Sequence, residues 1–239
     1  MPLWVLDTDP ALWPPASTAL DEPNGLLAVG GDLSCERLRQ SYRHGVFPWY
    51  SPGEPLLWWS PDPRGVFVLD GRRPSASLRR QLRRDRLRLS CNRAFTSVIR
   101  ACAEPRDNSP GCWIGDDMIH AYEQLHRAGD AHSIEVWDAQ GQLVGGLYGV
   151  AAGLLFCAES MFSRISNGSK LALALLRQLL WQQGAELFDC QLLNPHLQRL
   201  GAQAISRDYY LQRLAQLSPR PSPWPQWQGR DLTEVLLHD

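Results

Sequence analysis

Lysine is almost absent from this 239-residue chain: of 24 basic side chains only Lys170 is lysine, and the others are arginine. Such a bias is first a matter of genome composition and by itself names no partner. Zinc-type cysteine spacing is missing too. The six cysteines, at 35, 91, 102, 112, 157 and 190, contain no CxxC pair, which argues against a structural zinc site and against a disulfide framework. His120, His126 and His132 do not fall at metal-ligand spacing with a carboxylate, so no metal site is expected and they read as structural or surface residues. No apolar run reaches the ~20 residues of a membrane span. The opening MPLWVLDTDPALWPP lacks the basic and apolar blocks of a secretory leader, so a cytoplasmic protein with reduced thiols and no membrane partner is expected.

What is present is ordinary in bulk: 44% hydrophobic residues, 21% charged residues and a formal net charge of −1. That length can bury a real core as one large domain or two unequal ones. Residues 1–62, rich in proline and tryptophan, are expected to form a small N-terminal α/β subdomain, closed by Ser60-Pro61-Asp62-Pro63. Within it, Gly25–Leu33 has the pattern of a strand ending at a Gly-Gly turn, and Ser34 caps a helix from Cys35 to about His44. Most of the tryptophans belong in a core; Trp49 sits in a loop flanked by Gly45 and Pro48 and is a binding candidate.

Residues 63–218 carry the rest of the expected fold. Between Arg72 and Arg88 stand eight arginines against the single acid Asp85. Ser77 is placed to cap a helix with Leu78 and Leu82 inward and Arg79, Arg80, Arg83 and Arg84 outward. A face of one sign is costly unless an anion neutralises it, which suits a phosphate backbone as well as plain solvation. A helix near Ala94, a turn at Asn108-Ser109-Pro110-Gly111 and a helix from Asp116 to about Ala128 follow. Strands are expected at Ser133–Trp137, Leu143–Val150 and Leu154–Glu159, then a Leu/Ala-rich helix at Ser169–Gln183 and a strand ending at Gln191. The small residues 145, 146, 149, 151 and 152 imply close approach of a ligand or another backbone. An amphipathic helix near Arg207–Leu217 closes this part, and residues 219–239 form a Pro-rich tail expected to be poorly packed.

The β-β-β-α-β order places two strands as neighbours joined by a buried helix. Glu159, Asp189 and Gln191 then meet at one end of the sheet, where open α/β sheets bind ligands. Glu159 to Ser163 is expected to lie where the chain turns. Strand alternation puts Gln191 on the face of Asp189 and Cys190 on the other.

Taken in order, GLLAVGGD (25–32), GVFPWY (45–50), LWWSP (57–61), HSIEV (132–136), LVGGLYG (143–149), ESMFS (159–163) and DCQ (189–191) resemble the leucyl/phenylalanyl-tRNA–protein transferase family. The likeness spans roughly residues 2–217. It implies an α+β fold whose second domain is an acetyltransferase-like mixed sheet. It also implies a monomer that moves Leu, Phe and less efficiently Met from aminoacyl-tRNA to the α-amine of proteins beginning with Arg or Lys, marking them for degradation. By the same likeness, Gln191 acts as base with help from Asp189, although an amide is a poor base by itself. Glu159 and Asp189 supply carboxylates for the basic acceptor side chain. Met161 lines the aminoacyl pocket, with Phe156 and Leu176 as further pocket or core residues. Trp49 and Trp113 face the terminal adenine, and Arg79, Arg80, Arg83 and Arg84 the tRNA phosphates. The ester is already activated, so orientation and a neutral amine suffice without coenzyme.

Three other readings stand beside this one. A CoA-dependent N-acyltransferase needs a [QR]xxGx[GA] turn; Gln198–Gln203 fails at its last position and follows the wrong strand. A non-catalytic tRNA-binding protein leaves Glu159, Asp189 and Gln191 without a task. Nucleophilic catalysis by Cys190 has no histidine at an obvious partner spacing.

Overall fold

The computed structural model describes residues 3–105 and 114–237. The expected turn at 108–111 and Trp113 lie outside the described residues. Strands β1 (Trp4–Leu6), β2 (Leu26–Gly30), β3 (Phe47–Pro48) and β4 (Leu57–Trp59) form a sheet in the order β1-β2-β4-β3. Between β2 and β3 runs α1 (Cys35–Arg43), capped by Ser34, whose hydroxyl accepts the Arg37 N–H at 3.3 Å. Leu38 and Tyr42 are its buried stripe, as the four-residue spacing requires. Trp58 is fully buried, with its indole N–H donating to the Gly30 carbonyl at 2.8 Å.

The larger sheet uses β5 (Arg64–Val68), β6 (Arg88–Cys91), β7 (Ala131–Trp137), β8 (Leu143–Ala152), β9 (Leu155–Ser163), β10 (Leu187–Gln191) and β11 (Gln203–Ile205). Their spatial order is β11-β5-β10-β9-β8-β7-β6. The helices are α2 (Ala76–Arg84), α3 (Phe95–Ala103), α4 (Asp116–Arg127), α5 (Gly168–Gln182), α6 (Pro195–Arg199), α7 (Arg207–Leu217) and α8 (Glu234–Leu237). Strands β9 and β10 run parallel with Cys157 opposite Asp189, joined by α5. That is the strand–helix–strand unit expected from the pattern. No helix among the described residues is long and apolar enough to cross a membrane.

The run of small residues in β8 is filled by protein. A Cβ on Gly145 would lie 2.8 Å from the Gly168 Cα at the start of α5, while one on Gly146 would lie 3.4 Å from Val98 of α3. Successive strand residues face opposite ways. So α5 and α3 cover opposite faces of the sheet, and α5 sits close because neither contact residue has a side chain.

Three expectations change. The cap of α2 is Ser75, which accepts the Leu78 N–H, and not Ser77. Pro74 holds the residue ahead of it extended, so the helix starts at once after the next serine. β9 continues through Ser163, because Ser160, Met161 and Phe162 extend the ladder opposite Tyr148, Leu147 and Gly146. The ESMFS segment is therefore strand, and the chain turns after it.

The third change is the tail, which packs. Trp224, Trp227, Leu232 and Leu236 are buried. Trp224 stacks face to face on His132 at 4.4 Å and lies 4.7 Å from the ring of Phe156. The Gly229 and Leu232 N–H groups donate to the Cys91 and Leu89 carbonyls. Prolines leave little chain entropy to lose, and two indoles bring large apolar area. Trp224→Ala is expected to cost about 3–5 kcal/mol, read as a lower urea midpoint at unchanged slope. A loss under 1 kcal/mol would return the tail to the status of an appendage.

Candidate active site

Two bulges create the site. On β9, Ala158 pairs with Gly149 and Ser160 with Tyr148, so Glu159 is the extra residue. On β10, Asp189 pairs with Val66 and Gln191 with Gly65, so Cys190 is extra. Bulges bend a strand and re-aim its side chains, and they are frequent beside active sites. Gln191 also adopts φ of 57°, a left-handed conformation uncommon for a residue other than glycine.

That backbone is held by hydrogen bonds at both ends of Gln191. Its N–H donates to Asp189 Oδ1 at 2.9 Å, and its side-chain Nε2 donates to Glu159 Oε1 at 2.8 Å. The Tyr122 hydroxyl reaches Glu159 Oε2 at 3.3 Å, and the Tyr42 and Tyr122 hydroxyls are 2.5 Å apart. Side chains from α1, α4, β9 and β10 thus form one polar chain.

Asp189 is fully buried and already occupied. Arg64 Nε donates to its Oδ1 at 2.8 Å and Nη2 to its Oδ2 at 2.6 Å, while the Tyr210 hydroxyl donates to Oδ2 at 3.1 Å. The Arg64 guanidinium also donates to the Gly45 carbonyl at 3.0 Å and lies over the rings of Phe47 and Tyr210. The expectation that Asp189 faces the acceptor as a second carboxylate does not fit this geometry. Its contact with Gln191 is to the backbone; the carboxylate that touches the Gln191 amide is Glu159. The bulge at Cys190 is the reason, since it breaks the simple alternation that put Asp189 and Gln191 side by side.

Burial pushes the Glu159 carboxyl up to about 8, with Asp189 adding to the rise and the Tyr42 and Tyr122 hydroxyls opposing it. Burial likewise holds the Tyr42, Tyr122 and Tyr210 phenols well above their ordinary range. The Cys190 thiol is raised first by burial and then by Asp189, which disfavours the thiolate that a nucleophile needs.

The other candidates separate. Met161 is half-buried on β9 beside Glu159. Phe156 and Leu176 are fully buried in the core, Phe156 under Trp224 and Leu176 within α5, so neither lines an open pocket. Trp49 is 41% exposed, with its ring edge-on to Trp59. Its loop is tied to the start of α4, where the Tyr50 hydroxyl donates to Asp117. Arg80, Arg83 and Arg84 are exposed and Arg79 half-buried along α2, where they line a shallow concavity of about 510 Å³.

Sequence patterns missed Arg64, Tyr42, Tyr122 and Tyr210. The tyrosines look like apolar-stripe residues, and a hydroxyl where phenylalanine would serve was the available hint. Arg64→Ala would strand the buried Asp189 charge and should cost about 3–5 kcal/mol in urea unfolding. An Arg64→Met/Asp189→Leu double variant should lie above that single variant in stability. A double variant no better than Arg64→Ala would contradict the stranded-charge account.

Comparison with known proteins matches the chain to a family. The model described as leucyl/phenylalanyl-tRNA protein transferase matches residues 66–215, and that of its N-terminal domain matches residues 31–62. A leucyl/phenylalanyl-tRNA–protein transferase of Alkalilimnicola ehrlichii is 51% identical over 237 residues, covering 98% of this chain and 92% of that protein. The protein of that name from Pectobacterium carotovorum is 51% identical, covering 99% of this chain and all of that one. The one from Pseudomonas fluorescens is 53% identical over 88% of this chain and 92% of its own. Among solved structures, L-PGS from Bacillus licheniformis shares 14% identity at a TM-score of 0.39, covering 71% of this chain and 54% of that one. A GCN5-related N-acetyltransferase from Sphaerobacter thermophilus shares 15% at 0.32, covering 77% and 58%. Those overlaps are too small to add to the strand order itself. With both of its parts matched and half its residues shared with full-length relatives, the chain belongs to the leucyl/phenylalanyl-tRNA–protein transferase family.

Proposed function

We propose that this protein is an aminoacyltransferase that moves Leu, Phe or, less efficiently, Met from aminoacyl-tRNA to the α-amine of proteins beginning with Arg or Lys. The observation that carries the reading is the Gln191–Glu159 hydrogen bond across two bulged strands, in a chain of this family. The attacking amine forms the C–N bond and the ester C–O bond to the tRNA ribose breaks. One proton leaves the amine and one reaches the departing ribose oxygen. An α-amine with a reference pKa of about 8 needs little help to be neutral.

Because Gln191 commits its N–H to Glu159, its carbonyl oxygen is left to accept from the amine and orient it. An amide so placed positions the nucleophile without being a base. Asp189, locked to Arg64, then supports Gln191 through the backbone. Glu159 is the carboxylate that meets the cationic acceptor side chain. Met161 borders the aminoacyl side chain, and loose apolar contact would separate Leu, Phe and Met only weakly, since a methylene is worth about 1–3 kcal/mol. Trp49 and Trp113 are assigned to the terminal adenine and the α2 arginines to acceptor-stem phosphates. The activated ester supplies the driving force, so the reaction asks for no coenzyme. A cytoplasmic monomer whose products are marked for degradation completes the reading.

Transfer of labelled Leu from Leu-tRNA to a peptide beginning with Arg, and not to one beginning with Ala, is the expected result. No transfer by a protein that still binds tRNA would favour a binding protein, and transfer from acetyl-CoA would favour the CoA enzyme. Gln191→Ala is expected to lower kcat by about ten- to a hundredfold, the range of a hydrogen bond worth 1.5–3 kcal/mol. Unchanged turnover would remove its positioning role.

The raised carboxyl sets a pH signature. Below a pKa of about 8 Glu159 is neutral and attracts a cationic side chain poorly; above it the charge is present. The ratio of kcat/KM for Arg over Ala peptides, in which amine titration cancels, should rise between about pH 6.5 and 9. In Glu159→Gln that ratio should be low and flat; a wild-type ratio independent of pH would refute the assignment.

A further inference from the structure

A second concavity, about 610 Å³ in volume, opens on the opposite side of α2 from the arginine face. Its walls are the connection from β5 to α2, the outer side of α5 and the end of α6. Arg72, Arg73, Lys170, Arg177 and Arg199 line it, against one carboxylate, Asp70. Asp70 is shared, 2.9 Å from Arg72 and 3.7 Å from Arg177. Among the described residues, Lys170 and Arg199 have no side-chain hydrogen bond or ion pair, and both are exposed.

Five cations around one acid leave this wall net positive, and Arg177, held over the Phe67 ring and against the Val68 carbonyl, is fixed in place at its centre. Lys170, the chain's one lysine, stands in the first turn of α5, where the helix dipole already disfavours a cation. Like charges around a concave wall focus the potential and draw in anions. The lining holds no aromatic ring to stack a base, and its cations are strung along the walls from three elements instead of converging on one point. That is the pattern of backbone contact, which positions a nucleic acid without reading it. Basic concavities therefore flank α2 on both sides.

We propose that this cleft holds phosphodiester backbone of the tRNA substrate at a place remote from the aminoacylated end, adding affinity without touching the chemistry. The proposal rests on the transfer reading. It makes Arg177 and Arg199 binding residues with no share in catalysis.

The test compares wild type with Arg177→Gln/Arg199→Gln, two residues outside the Glu159–Gln191 network. The affinity for tRNA is measured across a salt series, and transfer is measured from full-length Leu-tRNA and from a leucylated CCA trinucleotide. Loss of two phosphate contacts should flatten the log Kd against log salt slope by about 1.4–1.8. It should raise KM for Leu-tRNA while leaving kcat and transfer from the trinucleotide unchanged. The charge-keeping pair Arg177→Lys/Arg199→Lys should retain most of the wild-type slope. An unchanged slope and affinity would overturn the proposal, and so would equal loss with the trinucleotide. A wild type that binds tRNA and transfers from neither donor would sink the transfer reading instead, and the salt slope would still judge the cleft.

Discussion

The buried Arg64–Asp189 pair is the constraint on which the rest of the structure hangs. Arg64 comes from β5 and Asp189 from β10, while the guanidinium also donates to the Gly45 carbonyl after α1 and lies over the rings of Phe47 and Tyr210. One side chain therefore ties the small sheet, the large sheet and α7 together. Taking both charges out of water is expensive, and only bidentate geometry with every remaining donor and acceptor engaged offsets it. The same carboxylate accepts the Gln191 N–H, which stabilises a left-handed residue at the end of a strand. Backbone strain at Gln191 is thus held by an interaction whose other end lies 125 residues away.

From that anchor the chemistry follows by geometry. The Cys190 bulge turns Gln191 toward Glu159, and the Glu159 bulge turns the carboxylate to meet it. Tyrosine hydroxyls from α1 and α4 close the far side, so the carboxylate sits half-buried among neutral donors. The low polarity that raises its pKa also strengthens its pull on a cation once it is charged. In the proposed reading, an acceptor site with one tuned carboxylate stands in contrast to the basic concavities flanking α2. The first discriminates at short range; the second acts through many exposed charges, each individually weak and screened by salt.

Much of the fold was legible from pattern alone. The helices at Cys35–Arg43, Asp116–Arg127 and Arg207–Leu217 have strong caps or stops and clean apolar stripes, so local rules decide them. The pairing of β9 with β10 through α5 followed from alternating strands and a Leu/Ala-rich crossover. Failures came where distant partners matter. The tail looked extended and loose because prolines dominate it, yet Trp224 finds His132 and Phe156. Phe156 and Leu176 resemble pocket residues in kind, since apolar side chains serve a core and a pocket equally well; only burial separates the two.

The sequence by itself determined the helices at Cys35–Arg43, Asp116–Arg127 and Arg207–Leu217, the β9–α5–β10 unit and the arginine run of α2. Capping, periodicity and motif order are properties of neighbours along the chain, so they are written locally. Tertiary structure alone decided which carboxylate serves Gln191 and which is spent on Arg64. A bulge shifts a side chain by one position without any residue type announcing it, and an ion pair across the fold is chosen by packing geometry, which no local pattern encodes.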